Sequence, residues 1–322
     1  QARLTTSISN LRQLGTASAA YASEWNDRQV TLIDDNLSRY GNTISAALSG
    51  YAQATGQVHP GIFAGWGQGG SMWGWWFDNP GSSGPLAMPI NVAGSFAGFG
   101  YFRRPNSKPL TDFLTGKSYD PLFWAPKDRV PLSVMDGCFD QPFEFIDCYD
   151  GGSGGQGSDG DGNNIWCTYV WSPAALFSPD VMRNAGEGGF QDPWSLPGGL
   201  RAPSMSQAAY PDLKTHMIEH HWLQDGPSGC NPNVTEPRDR PYNDCQPYFF
   251  NQGETSAPAA LFYDGHVELV GANSAQLADA RVRGQTQDWG LWRRDTPFGD
   301  DGYWHSLSYD SIWGASATSF HI

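Results

Sequence analysis

The residues best suited to chemistry lie in a histidine- and glutamate-rich segment of the second half of the chain. His216, Glu219 and His220 have the H-x-x-E-H spacing of the inverted zinc-protease motif. On a helix the two histidines would share a face and hold a metal, and the glutamate would act as a general base. The segment is equally typical of a strand, however, and no acidic third ligand stands at a familiar distance. A metal-dependent hydrolase is one alternative function.

Two glycine-rich segments match functional motifs by their letters alone. Residues 65–70 match G-x-G-x-x-G, but no helical period follows, as a dinucleotide site requires. Residues 151–155 match G-x-S-x-G, but they lie in a run of glycines and acids, whereas a nucleophile elbow follows an apolar strand. Both segments are predicted to be loops.

A third pattern concerns calcium. Asp159, Asp161 and Asn163 alternate with glycines and supply oxygen ligands, as calcium-binding loops do. The EF-hand pattern then fails, because Asn164 stands where its glycine belongs and Val170 where its glutamate belongs. The alternative is a solvated loop, and Ca²⁺ is the one cofactor that the sequence suggests.

A cluster of aromatic residues suggests a different kind of function. Clustered exposed tryptophans can stack on sugar rings and mark binding surfaces, although large aromatic side chains more often pack in a core. An exported carbohydrate- or surface-binding protein is therefore a second alternative. The tryptophans concerned are Trp66, Trp73, Trp75 and Trp76.

Composition limits the partners. The chain has 322 residues, with 19 Lys and Arg against 33 Asp and Glu, which gives a net charge of −14. Such a surface repels phosphate backbones, so we expect no nucleic-acid partner. No run of about 18 apolar residues is present to span a membrane. The 39 glycines and 14 tryptophans predict many irregular loops packed on aromatic side chains rather than a helical bundle.

Five cysteines without a Cys-x-x-Cys pair argue against a zinc ribbon. Their spacing favours two local disulfides, Cys138–Cys148 and Cys230–Cys245. Cys167 is then the odd cysteine, or it replaces one partner of a pair. Disulfides imply an oxidising compartment, so we expect an exported protein, periplasmic or extracellular. The alternative is five reduced, buried thiols in a cytosolic protein.

The N-terminal residues have the period of an amphipathic helix, predicted to end near residue 28. The apolar positions are Leu4, Ile8, Leu11, Leu14, Ala17, Tyr21 and Trp25. Because the pattern begins directly at Gln1, we expect the chain to start inside a longer helix. A second helix is predicted over residues 40–54, and strands over residues 129–135 and 165–171.

Asp264-Gly265 lies between two short apolar runs, residues 259–263 and 266–270. This pattern predicts a β-hairpin with a two-residue type I′ turn, in which both central residues have positive φ. The single-domain architecture that accounts for these elements is α+β, with a helix at residues 1–28 and a globular head at residues 29–322.

The segment 261–268, Leu-Phe-Tyr-Asp-Gly-His-Val-Glu, resembles the C-terminal signature of bacterial pilin-like proteins with a prepilin-type N-terminus. Residues 9–15 resemble the second half of their N-terminal helix, and residues 290–299 resemble their tail. The family motif has a histidine ten positions before Asp264, where this chain has Glu254. The role of that histidine is thus either taken by a carboxylate or lost.

The resemblance implies a pilin-like fold: an N-terminal amphipathic helix packed on an antiparallel sheet, with large Gly- and Trp-rich insertions. It implies a non-catalytic subunit of a pilus or type II secretion pseudopilus that associates with copies of itself into a filament. Membrane contact would be made only by a segment upstream of Gln1. The residues expected to matter are Leu4, Ile8, Leu11 and Leu14 for helix packing, and Asp264, Gly265 and His266 for the hairpin.

Overall fold

The computed structural model describes fourteen stretches of the chain, and all structural statements below concern them. They are residues 1–30, 37–42, 44–55, 61–66, 72–76, 105–128, 132–133, 135–140, 167–172, 196–197, 203–208, 211–212, 214–219 and 257–270. The helices are α1 (Ala2–Glu24), α2 (Ile44–Thr55) and the short α3 (Lys108–Thr111). The strands are β1 (Gly61–Trp66), β2 (Met72–Trp76), β3 (Tyr169–Trp171), β4 (Thr215–Glu219), β5 (Ala259–Phe262) and β6 (Val267–Leu269).

Helix α1 is amphipathic, as its apolar period predicts. Its inward positions recur at three- and four-residue steps, and its other side carries mostly polar residues that face solvent. The helix packs on β5 and β6 and also touches α3. Its buried residues are Ser7, Asn10, Leu11, Leu14, Ala17, Ser18, Tyr21 and Ala22.

The sheet that α1 packs on has four antiparallel strands in the order β3-β4-β5-β6. Every residue of β3, β4 and β5 is buried, so both faces of these strands are covered. Strand β6 is more exposed and carries Leu269, a largely exposed leucine. An N-terminal helix on an antiparallel sheet confirms the coarse α+β prediction.

The tryptophan-rich segment forms a separate antiparallel pair, β1 with β2. Gly61 pairs with Trp76, and Gly65 with Trp73. The glycine pattern at residues 65–70 is thus followed by a strand that begins at Met72, and the helix that a dinucleotide site needs is absent there.

Two predicted boundaries differ from the structure. Helix α1 ends at Glu24 rather than near residue 28, because Asn26 and Asp27 adopt left-handed φ values of 54° and 66°. Asn and Asp tolerate this conformation better than other side chains. The Asp27 N–H donates to the Ala22 carbonyl (2.7 Å), a bond that closes a helix end. The second predicted helix, over residues 40–54, is α2. It begins at Ile44 rather than at residue 40, after a 3₁₀ turn at Leu37–Tyr40.

The strand predicted over residues 129–135 is wrong, since Leu132, Ser133 and Met135 are helical. The Leu132 N–H donates to the Asp128 carbonyl four residues earlier (3.2 Å). Pro131 belongs to this segment, and proline favours the first turn of a helix over a central strand. The other predicted strand is shorter than expected: β3 occupies Tyr169–Trp171, and Cys167 and Thr168 precede it without strand pairing.

The Asp-Gly hairpin exists, but its turn is not type I′. The Gly265 N–H donates to the Phe262 carbonyl (3.0 Å), and the Phe262 N–H donates to the His266 carbonyl (2.9 Å). Gly265 has φ of 88°, whereas Asp264 does not have a positive φ. This is the pattern of a type I turn followed by a left-handed glycine. Asp264 prefers this geometry because its carboxylate accepts the His266 N–H (3.0 Å).

Replacing Gly265 by alanine should destabilise the protein by about 1–2 kcal/mol, because a Cβ is strained at this φ. Gly137→Ala is the matched control. Space is open around both glycines, but Gly137 has no positive φ. We expect the control to change the free energy of unfolding by less than about 1 kcal/mol. Chemical denaturation of both variants measures the difference, and equal effects would contradict the assigned turn.

Candidate functional site

The contact between α1 and the sheet is the site on which the described structure converges. Its apolar part consists of Leu11 and Leu14, both without exposed surface, on the face of α1 that meets the sheet. At Gly15 the helix comes so close that a Cβ would lie 3.0 Å from both δ carbons of Leu261 on β5. Full burial of a leucine contributes about 1.5–3 kcal/mol, so these residues anchor the middle of the helix.

The polar part of the same contact lies nearer the helix N-terminus. The Ser7 hydroxyl donates to Oε1 of Glu219 on β4 and lies 2.7 Å from the Tyr169 hydroxyl on β3. Glu219 Oε2 accepts the Ala259 N–H of β5 (2.9 Å). Asn10 Nδ2 lies 3.5 Å from the Tyr169 hydroxyl. The buried Glu219 carboxyl therefore connects α1 with β4 and β5, and the Tyr169 hydroxyl connects α1 with β3.

Burial controls the electrostatics of this cluster. Glu219 is 1% exposed, and desolvation raises the pKa of its carboxyl above the usual 4.5. The hydrogen bonds from Ala259 and Ser7, and the charge of Lys127, act in the opposite direction but are weaker. Burial, and next the charge of Glu219, likewise raise the pKa of the Tyr169 hydroxyl. Burial therefore disfavours the ionised form of this carboxyl, and its two hydrogen-bond donors partly offset that effect.

His216 lies on the same strand in an aromatic environment. Its ring centroid is 5.0 Å from that of Trp171 and 4.7 Å from that of Tyr263. Burial, and next the charge of Lys214, lower the pKa of His216 to about 3. Its Nε2 has no hydrogen-bond partner among the described residues. A neutral, enclosed imidazole packs as an aromatic ring and is poorly placed to accept protons from solvent.

The H-x-x-E-H segment is a strand, so the helical arrangement required for a zinc site is not formed at residues 215–219. On a strand, the side chains of residues three positions apart point to opposite faces of the sheet. Glu219 is engaged by Ser7 and Ala259, whereas His216 contacts two aromatic rings. His220 lies outside the described residues. Within the described part of the chain, no three potential ligands are grouped to hold a metal.

Side-chain contacts within the hairpin stabilise its turn. Asp264 Oδ1 contacts both the backbone N–H and the Nδ1 of His266. The His266 ring stacks on Phe262 with a centroid distance of 4.4 Å and an interplanar angle of 5°. The Tyr263 N–H donates to the Lys214 carbonyl, which fixes the turn to the start of β4 (3.1 Å). The Asp-Gly-His sequence thus has a structural role in the fold of the hairpin.

Of the other residues predicted from the sequence to matter, some lie within the described part of the chain and some lie outside it. Leu11 and Leu14 are buried, whereas Leu4 and Ile8 on the same face are only half-buried. Cys138 is buried and disulfide-bonded, and its partner lies outside the described residues. Cys167 is a buried thiol. The calcium candidates Asp159, Asp161 and Asn163, as well as Cys148, Cys230, Cys245 and Glu254, also lie outside the described residues.

Sequence reasoning missed the cluster of Ser7, Glu219 and Tyr169. Two signals were present: Ser7 stands on the inward face between Leu4 and Leu11, and Glu219 directly follows the apolar Met217 and Ile218. Neither signal identifies the partner, because 212 residues separate Ser7 from Glu219.

Comparisons of the chain with protein-family models, with curated proteins and with solved structures found no match. Among the described helices, none is both long and apolar enough to cross a membrane.

His216 predicts a loss of stability in acid. The unfolded chain binds a proton below pH 6.5, whereas folded His216 stays neutral down to about pH 3. The contribution of His216 to stability should therefore fall by about 1.4 kcal/mol per pH unit as the pH drops below about 6.5. His216→Phe keeps an aromatic ring and should remove this slope. His266→Gln, at the exposed hairpin, is the control. Denaturant unfolding between about pH 4 and 7 tests this, and an unchanged slope in His216→Phe would contradict it.

Proposed function

We propose that the protein is a non-catalytic structural subunit of a pilin-like filament, exported from the cell. The observation that carries the proposal is the uneven burial of the apolar face of α1. Leu11 and Leu14 are covered by the sheet, whereas Leu4 and Ile8 are half-buried. A helix whose apolar face extends beyond its own domain can gain stability by packing on another helix.

The partner that fits this face is the equivalent helix of a second copy. Apolar residues at four-residue steps, such as Leu4 and Ile8, form the ridges that pack two helices together. Covering their remaining surface would contribute about 25 cal/mol for each Å² removed from water. Repeated along a filament, the same contact would place the helices in the core and the sheets outside.

The hairpin supports the same proposal. The resemblance to pilin-like proteins rests on the Asp264-Gly265-His266 sequence, and these residues form a locally fixed turn at the β5–β6 edge of the sheet. A non-catalytic role also agrees with the engagement of Glu219 in a helix–sheet contact, away from solvent.

The carbohydrate-binding alternative retains one observation in its favour. The β1–β2 pair brings Trp66, Trp73, Trp75 and Trp76 onto two adjacent strands. Tryptophan side chains can stack on sugar rings, which is the reason to keep this alternative. This alternative differs from the filament proposal in that it requires no contact between copies.

Leu4→Glu should prevent filament formation while leaving the head folded, because it puts a charge into the contact between helices but not into the buried part of α1. Thr5→Glu, which adds the same charge at an exposed position, is the matched control. Filaments of the protein from its native cells are counted by electron microscopy, and circular dichroism checks the fold.

The expected result is filaments for the wild type and for Thr5→Glu, and folded monomers for Leu4→Glu. Filaments of normal number and length in Leu4→Glu would contradict the proposed interface. A wild-type protein that stays monomeric and binds glycans with a change in tryptophan fluorescence would favour the carbohydrate-binding alternative.

A further inference from the structure

Strand β6 leaves one edge of the sheet open. It is the last strand in the order β3-β4-β5-β6, and Glu268 and Leu269 are both exposed. The His266 carbonyl accepts a hydrogen bond from β5, and the Val270 N–H donates to the chain just before β5. Because this direction alternates along a strand, the backbone groups of Val267 and Leu269 point away from the sheet. No described strand pairs with them, and an open edge of this kind can accept a strand from another molecule.

Apolar surface adjoins this edge on the face of the sheet that α1 covers. Leu261 is on that face, since its δ carbons lie against the helix at Gly15. Val267 pairs directly with Leu261 and shares its face, and so does Leu269, two positions further along β6. Leu269 is 43% exposed, and among the described large apolar side chains only Trp25 is more exposed. The face covered by α1 therefore ends at β6 with an uncovered leucine.

The flank of α1 nearest β6 is apolar as well. Around the helix, the buried stripe begins with Asn10, which contacts Tyr169 on β3. It continues through Leu11 and ends, by the helical period, with Leu4 and Ile8. Because β3 and β6 are at opposite edges of the sheet, the half-buried Leu4 and Ile8 lie on the side of β6. The open strand edge and the incompletely covered flank of the helix are thus on the same side of the domain.

We propose that two copies of the protein pair through β6, antiparallel and about a twofold axis, so that their four-stranded sheets join into one continuous sheet. A second copy fits this edge because each copy brings the same open strand and the same apolar flank to the contact. The helices also fit. Since α1 lies over β5 and β6, the two helices would be about 10 Å apart, which is two strand spacings and a normal distance for packed helices.

Charge selects the register of the two paired strands. Two registers within β6 join the outward backbone groups of Val267 and Leu269. If the twofold axis passes at Glu268, the two Glu268 side chains stand directly opposite each other, and like charges there are destabilising. If it passes at Val267, Glu268 of each copy stands opposite His266 of the other, whose imidazole is positive when protonated. Asp264 contacts Nδ1 of that imidazole, which leaves Nε2 for the pair with Glu268. The register centred on Val267 is therefore the favoured one.

The dimer does not rest on the proposed filament, although both use the same flank of α1. Across the twofold axis the two helices run antiparallel, whereas the helices of a filament built from one repeated contact run in the same direction. A copy in the dimer has Leu4 and Ile8 covered and cannot enter the filament through them. The dimer is thus a state of unassembled copies, in which this apolar surface is kept from water.

Analytical ultracentrifugation of the purified protein, in fractions free of filaments, tests the dimer. We expect the wild type to sediment as a dimer at concentrations up to about 0.1 mM. Val267→Pro removes the N–H that faces the second copy but keeps the bonds with β5, so the dissociation constant should rise about tenfold or more. Val267→Thr keeps both the N–H and the branched shape, and as the matched control it should remain a dimer. Circular dichroism checks that each variant is folded.

Introduced cysteines test the register. With the axis at Val267, the two Cα atoms of position 267 would be about 5.5 Å apart, within reach of a disulfide. The two Cα atoms of position 268 would be about 8 Å apart, which is too far for this bond. With oxidised glutathione as the oxidant, Val267→Cys should therefore form a covalent dimer, and Glu268→Cys, the matched control, should not.

A wild type that stays monomeric over this concentration range would overturn the proposal, as would a dimer that Val267→Pro does not weaken. A covalent dimer of Glu268→Cys without one of Val267→Cys would contradict the register and the charge argument behind it. If Val267→Pro does not fold, the two cysteine variants decide, and no cross-link at position 267 overturns the dimer. Filaments are counted separately by electron microscopy, so failure of either proposal leaves the other standing.

Discussion

Burial of one face of α1 against the four-stranded sheet is the interaction on which the described structure depends. Strands β3, β4 and β5 are buried on both faces, and α1 supplies part of that cover. Removing the helix would expose Leu261 and the strand residues paired with it. The burial free energy lost would then be large compared with the net stability of an ordinary domain. The helix is therefore part of the head's core as well as the element proposed to join copies.

This contact combines two kinds of interaction with different sensitivities. Apolar burial at Leu11 and Leu14 changes little with pH, whereas the Ser7–Glu219 contact includes a carboxyl that can titrate. His216, on the same strand, responds to acid in the opposite sense. A sheet with a buried histidine and a buried glutamate is thus most stable over a limited pH range.

The sequence predicted those elements whose signal is local. The three- and four-residue spacing of Leu4, Ile8, Leu11 and Leu14 predicted α1, and Asp264-Gly265 predicted the hairpin. The turn type was missed, because it depends on the Asp264 side chain and its bond to His266. The H-x-x-E-H segment could not be assigned to a helix or a strand, because five residues carry too little period. The partners of Ser7 and Glu219 depend on tertiary packing, which no local sequence pattern predicts.

The most direct test of the account is a cryo-electron microscopy reconstruction of the assembled protein recovered from its native cells. The account predicts a filament with α1 of neighbouring copies packed in the core through Leu4 and Ile8, and with the sheet and the Asp264-Gly265 hairpin on the outside. A filament with contacts made only between heads, or a protein that remains a discrete monomer under all conditions, would contradict it.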